Sequence, residues 1–456
     1  MPALATGVLR AQAAGGQDMT LARVIETAKE HYPTIKAALA QQQAARSAIG
    51  LAKTAYLPQA ELLWQTNRAT ANNVYGLLLP QSVIPNISGP VIAADNTRSA
   101  FSSGAGALFN WQPFDFGARG ARVDAARRGN EAATQATAVT VLEVTASAGS
   151  AFFDLAAAQQ LVVVAQANLK RYEAFAKAVH VLVDNQLRPG ADASQADAQL
   201  AVARNQLIQA QTQEAVRRSS LSVFVEMPGD QVSIDAAAVL VALPASDLDA
   251  RPAASHPSVL EENALSLQQL AQKRILDRSY VPSFSTLGAV SGRGVGTGLT
   301  GSFPGGAAGL APDTFNWAVG VQVKFSALDY FGLREQKMIQ AAKIDAEHAR
   351  YDLSQRNVSS AMEQARATLQ GSRQIAANTP AELAAARASE LQQQARYRSG
   401  LATVVDVTAA EGVLAQAEAD DAIARLGVWR GELGVAAAQG DLKPFLDLLQ
   451  NQAKGK

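Results

Sequence analysis

From Phe315 to Phe325 every second residue is large and apolar. Phe315, Trp317, Val319, Val321, Val323 and Phe325 alternate with Asn316, Ala318, Gly320, Gln322 and Lys324. A period of two predicts an extended strand with one apolar face. Ala105–Pro113 repeats the pattern, with Phe109 and Trp111 against Asn110 and Gln112, and upstream mates fall at Leu57–Asn67 and Val281–Ser291. Elsewhere the apolar period is helical. Met19–Ala55 reads as helix, with Thr20 as its cap and Pro33 interrupting it near the start. Residues 118–187 form a run of about 70 residues, roughly 105 Å at 1.5 Å per residue. Within it Ala165, Leu169, Tyr172, Ala176, Val179 and Val183 step by four and three, the seam of an antiparallel coiled coil; Leu200, Ala203, Leu207 and Ala210 do the same after a break.

The elements recur in the same order. Tyr56 and Tyr280 open the strands 224 positions apart, Phe116 and Phe331 close them 215 apart, and Gly190 and Gly400 break the long helices 210 apart. A period near two hundred residues is too long for a solenoid unit, so the chain is a duplicated half. It divides into a leader or signal remnant at 1–18, a first repeat at 19–229, a connector at 230–255, a second repeat at 256–442 and a tail at 443–456. The first repeat holds a hairpin at 57–114 and helices at 118–187 and 191–226. The second holds a hairpin at 281–330 and helices at 333–398 and 402–439. Ala11-Gln12-Ala13 reads as a small-residue cleavage site.

Four strands cannot close a barrel, for which about eight is the practical minimum. An apolar face opposite a small, polar one suits a sandwich strand, or a membrane barrel strand with lipid on one side and water on the other. No further strands supply a second sheet, which favours strands pooled across subunits. Fold class is therefore mainly α with a small β part: a long coiled-coil helical barrel, plus four strands per chain contributed to a shared sheet.

Composition narrows the function. Forty basic and 40 acidic residues cancel, so no net charge draws the chain to nucleic acid. There is no cysteine, which removes thiol catalysis, thiolate metal sites and disulfides. No stretch of about 18 uninterrupted apolar residues marks a transmembrane helix. His31, His180, His256 and His348 are scattered without metal-ligand spacing. Gly292–Gly296 lacks the spacing of a phosphate loop and reads as a flexible surface loop. Neither a catalytic constellation nor a cofactor site emerges, and the reading is that the protein is not an enzyme.

The order of helix, Tyr-Leu-Pro strand, strand ending in Phe-Gly, long helix, break and long helix, given twice from about Leu21 to Gly440, resembles the TolC-like outer-membrane efflux protein family. The most specific segment is Arg396-Tyr397-Arg398-Ser399-Gly400-Leu401-Ala402-Thr403-Val404-Val405-Asp406-Val407. The resemblance implies a homotrimer with a 12-stranded transmembrane barrel and a helical tunnel in the periplasm, without cofactor. It implies an adaptor protein and an inner-membrane transporter as partners, and outer-membrane lipid around the row from Phe315 to Phe325. It makes Arg188, Gly190, Arg398, Gly400 and Leu401 adaptor-contacting tips, with Tyr397 and Asp406 at the periplasmic entrance, Asp406 facing the pore. The family's second acidic position is Ala409 here. In the first repeat, Ala196 stands six residues after Gly190 and Asp197 one place late, so that tip departs from the pattern. The implied role is a passive exit duct for small molecules or drugs, with protein secretion and metal-ion efflux as alternatives within the class. A coiled-coil scaffold outside the membrane is the alternative from another class.

Overall fold

The computed structural model describes residues 18–70, 83–84, 98–241, 243–244, 248–297, 302, 304–325 and 327–454. The expected leader and most of the loop after Ala69, with Leu77–Pro80, lie outside them. In chain order the elements are α1 (Leu21–His31), α2 (Pro33–Thr54), β1 (Gln59–Thr70), β2 (Ser99–Phe114), α3 (Ala118–Asp184), α4 (Gly190–Val225), α5 (Ala237–Val241), α6 (Pro257–Asp277), β3 (Ser283–Val295), β4 (Thr314–Lys324), α7 (Tyr330–Arg398), α8 (Val404–Ala438) and α9 (Lys443–Lys454). Thr20 caps α1 by accepting the Arg23 N–H. The first helix ends at Tyr32 because Pro33 disfavours helical backbone in the residue before it.

The chain forms two compact units. One comprises Met1–Gln42, Ala133–Asn263 and Arg350–Lys456; the other comprises Gln43–Ala132 and Ala264–Ala349. Each repeat contributes to both, so the compact units and the sequence repeats divide the chain differently.

The first unit is helical. Val24 and Ile25 of α1, Phe152, Phe153 and Leu155 of α3, Leu221 of α4 and Trp429 and Leu433 of α8 bury in one core. Two expectations change here. The connector is part of the core: Met19 pairs with Ile234 in a parallel bridge, and Val232, Ile234 and Val239 are buried. The tail is helix α9, whose Phe445 and Leu449, one helical turn apart, sit in the same core, with Phe445 against Trp429 at 6.3 Å. By length and composition α3 is also apolar enough to cross a membrane, contrary to the sequence reading, which required an uninterrupted run. It is α3 that supplies Phe152, Phe153 and Leu155 to this core.

The second unit carries the sheet. Its strands run β1-β2-β3-β4, every neighbouring pair antiparallel. The two hairpins, far apart in sequence, are joined within the chain by the β2–β3 ladder, from Ser102 opposite Val295 to Phe114 opposite Phe284. Strands β1 and β4 are left as edges. Gly292–Val295, expected in a loop, ends β3. Glycine permits this because the chain returns very close. A Cβ on Gly294 would lie 2.0 Å from the Ala311 carbonyl oxygen, and Gly309 has φ +80°. The Gly296 N–H donates to the Phe101 carbonyl at 2.8 Å.

Candidate functional site

Two regions carry functional geometry, one in each unit. In the sheet, register decides which side chains share a face. Trp317 lies opposite Val290, Val319 opposite Gly288 and Val321 opposite Thr286; Gly288 lies opposite Phe109 and Val290 opposite Ala107; Ala107 lies opposite Leu62 and Ala105 opposite Trp64. The row from Phe315 to Val323 therefore continues across all four strands through Phe109, Leu62 and Trp64. These are not core residues: Phe315, Trp317, Val319 and Val321 are 73–78% exposed, and Leu62 and Trp64 are 82% and 74%. The other face carries Glu61, Gln65, Asn110, Ser291, Asn316, Gln322 and Lys324. Phe325, the last of the expected row, follows β4 and packs on Tyr280 at 5.2 Å, which in turn meets Tyr330. Such an aromatic cluster at the end of an apolar band suits a membrane–water boundary.

A buried fastening, missed in the sequence, holds the end of β2 to the start of α3. Asp115 accepts the Arg119 N–H at 2.6 Å and its Nε at 2.9 Å, and the guanidinium lies 4.6 Å over the Tyr56 ring. Burial pushes the Asp115 carboxyl up, but the Arg119 hydrogen bonds and charge outweigh it and hold the group below the usual carboxylate range.

In the helical unit, α3 and α7 each end in a reversal of the same kind. After α7, the Gly400 N–H donates to the Tyr397 carbonyl and the Leu401 N–H to that of Arg396. After α3, the Gln186 N–H donates to the Val183 carbonyl and the Leu187 N–H to that of Leu182. Both are Schellman closures, which require one left-handed residue. Gly400 has φ +79° and Gln186 +59°. This corrects the sequence alignment. Gly190, matched to Gly400 as the break between the long helices, is the first residue of α4; the left-handed counterpart of Gly400 is Gln186. The repeats thus match here at an offset of 214, Gln186 to Gly400, and Asp192 stands where Asp406 does. Matching cap to cap, Pro189 to Thr403, would have found it.

The two aspartates are used differently. Asp406 completes a capping box: its Oδ2 accepts from the Thr403 N–H and hydroxyl, each at 2.8 Å, while its own N–H donates to Thr403 Oγ1. Those Thr403 hydrogen bonds hold the carboxyl below its ordinary value. Pro189 has no such side chain, and the Asp192 carboxylate instead accepts the Tyr397 hydroxyl at 3.4 Å. Tyr397 is 3% exposed. Arg188 lies 4.4 Å over its ring and donates to its carbonyl at 2.6 Å; Phe175 packs on it at 5.5 Å. Burial and the Asp192 charge push the phenol up, so it remains a donor. The structure therefore brings together Arg188, Asp192 and Tyr397. Arg188 turns toward its own chain, whereas Leu187 and Leu401, 69% and 70% exposed, and Arg398 face outward.

A second feature missed in the sequence lies further along the same helices. Arg171 of α3 meets Glu411 of α8 at 3.0 Å and Glu418 at 2.9 Å. Gln394 of α7 donates to Glu411 at 3.2 Å. Glu390 of α7 is buried beside them, and its burial, then the Glu411 carboxylate, push it up to about 6. Among the described residues no group of three or more His, Cys, Asp or Glu side chains could hold a metal ion.

The family model described as "Outer membrane efflux protein" matches residues 24–223. Among solved structures, the outer membrane protein VceC of Vibrio cholerae superposes with a TM-score of 0.72 at 18% identity, covering 92% of this chain and 96% of that one. CusC, described in connection with transmembrane channel formation, gives 0.75 at 15% identity, with 93% and 92% covered. The CmeC outer membrane channel of Campylobacter jejuni gives 0.72 at 14% identity, with 95% and 89% covered. At these identities the likeness is one of fold. Comparison with curated proteins finds no match.

Proposed function

We propose that the chain is an outer-membrane channel of the outer membrane efflux protein family, extending into the periplasm, and that three copies form one exit duct. The observation that carries this is the single apolar face running across four strands, with β1 and β4 left as edges in the chain. In lipid every backbone N–H and C=O must be paired, so an open sheet has to close. Three four-stranded sheets supply twelve strands, enough to enclose a water-filled lumen. The exposed row from Phe315 to Val323 then meets lipid, and Gln322 and Lys324 meet water.

The long helices α3, α4, α7 and α8 form the periplasmic tunnel, and the reversals at Gln186 and Gly400 form its entrance. Leu187, Leu401 and Arg398, with the turn backbones at Gly190 and Gly400, dock an adaptor protein that links the duct to an inner-membrane transporter. Asp406 combines its capping box with a place near the three-fold axis, where three carboxylates attract cations. The hydrogen bond from Tyr397 to Asp192 latches the two reversals of one chain together. A passive conduit for small molecules needs these parts and no catalytic group.

The protein purified in mild detergent should run as a trimer and conduct in planar bilayers, with cation preference lost in Asp406→Asn. A monodisperse monomer with full β content counts against the duct. Unchanged selectivity in Asp406→Asn leaves that residue as a helix cap alone.

A further inference from the structure

Where the sheet gives way to helices, a cleft of about 550 Å³ opens within the second unit. It gathers three cations from remote parts of the chain: Arg122 near the start of α3, Arg278 just after α6 and Lys324 at the end of β4. All three are exposed. The Arg278 guanidinium donates to the Phe116 carbonyl at 3.4 Å. Among the described residues, the side chains of Arg122 and Lys324 have no ion-pair partner. Two carboxylates, Asp115 and Asp329, line the cleft, and Asp115 is already held by Arg119. The cleft is therefore net positive. One side of it is aromatic: Tyr280 and Phe325, with ring centroids 5.2 Å apart, belong to the lining. Lys324 pairs with Ser283, which also lines the cleft, and both lie on the sheet face opposite the row from Phe315 to Val323. The cleft thus opens on the side proposed to meet water.

We propose that this cleft is a holding site for anionic amphiphiles in the duct: Arg122, Arg278 and Lys324 take a carboxylate, sulfonate or phosphate group, and Tyr280 and Phe325 take the apolar body. The inference rests on the trimeric duct and adds a solute class to it. Cations converging on one recess focus their field on an anion, and guanidinium groups bond oxyanions through paired N–H donors. The volume falls in the range of roughly 300–1,000 Å³ that small-molecule sites occupy. Neither half suffices alone. A small inorganic anion leaves the aromatic side uncovered, and a neutral apolar solute leaves the cations without a partner. Three copies place three such sites at the level where barrel meets tunnel.

The test uses the whole trimer in nanodiscs of zwitterionic lipid, with naphthalene-1-sulfonate as the probe and empty nanodiscs as background. Equilibrium dialysis should find saturable binding of one probe per chain. In the double variant Arg122→Gln, Lys324→Gln the dissociation constant should rise about tenfold or more, the loss expected when charge-assisted hydrogen bonds are removed. The pair Arg278→Gln, Lys324→Gln should lose binding alike. Naphthalene-1-methanol, the ring without the charge, and inorganic sulfate, the charge without the ring, should each compete at least about tenfold more weakly than the sulfonate. Conductance in planar bilayers establishes that parent and variants form the duct. A conducting trimer with no binding above background, or with both variants equal to their parent, overturns the site and leaves the duct standing. Competition by either partial probe equal to that of the sulfonate overturns the amphiphile class. Failure of the parent to form a conducting trimer overturns both site and duct.

Discussion

The sheet and the helix reversals repeat themselves in different ways. In the sheet, the two halves share a side-chain class: Leu62, Trp64 and Phe109 lie on the same face as Trp317 and Val319. At the reversals they share a backbone and little else. Gln186 and Gly400 both turn left-handed, but Pro189 replaces Thr403 as the cap, and Asp192 bonds Tyr397 where Asp406 bonds its own helix. The difference teaches what each region answers to. A strand face exposed to a solvent must be chemically uniform, whereas a turn must satisfy a few carbonyls and can do so with several residues.

The largest expected effect tests the first half of that contrast. Val319 lies in the middle of the β3–β4 ladder, opposite Gly288. Val319→Arg should destabilise the inserted protein by about 2–4 kcal/mol, the range for a cation facing lipid near the midplane. Gln322→Arg, on the face proposed to meet water, should be tolerated. Unfolding from lipid vesicles in urea measures both, and equal tolerance breaks the assignment of faces.

The next effect tests the backbone half. Nothing lies within 4 Å of where a Gly400 Cβ would stand, so Gly400→Ala meets only the strain of φ +79°. It should cost about 1–2 kcal/mol. Gln186→Gly should relieve the same strain and gain up to about 1 kcal/mol, after the entropic loss glycine brings. Thermal or urea denaturation of the two variants decides; equal and opposite signs sharpen the equivalence of the turns.

The smallest effect marks where side chains differ near the reversals. At the 214 offset Glu390 corresponds to Ala176, a buried residue of the first half. Raising a carboxyl from 4.5 to about 6 means the folded state holds its proton more tightly than the unfolded chain. Stability should therefore fall as pH rises from about 4.5 to 6 and stay lowered above that. Glu390→Gln, which cannot ionise, should flatten the melting temperature across this window. Arg171 and Glu411 face Glu390 from α3 and α8. A full wild-type slope in the variant assigns the titration elsewhere.

Much of this was legible because period-two alternation is a local signal. Three strands were found within a few residues, β2 starts six residues before the expected Ala105, and the row on β4 needed no partner to be seen. The joining of β2 to β3 was not legible, since strands that pair across four intervening helices leave no mark in either one. The first reversal was misaligned because Gly190 was matched to Gly400 by residue type, although left-handed backbone is a demand on geometry that Gln186 also meets. Glu390 and Glu411 carry no distinguishing signal in the sequence, because their setting comes from Arg171 of α3 and Gln394 of α7 packing against α8. Helix α9 was passed over as a tail, although Phe445 and Leu449 carry the spacing of a buried face.

The β2–β3 ladder also sets an order of events for a newly made chain. The first hairpin is complete once Phe114 has been synthesised, but β2 must wait for β3 until α3, α4, α5 and α6 have followed. Pairing between segments so remote in sequence is slow, because the intervening chain must be confined before any contact rewards it. Throughout that delay β2 presents an unsatisfied edge beside an apolar face, the state most open to pairing with the wrong chain. A protein with this connectivity depends on being shielded during export until its second half arrives.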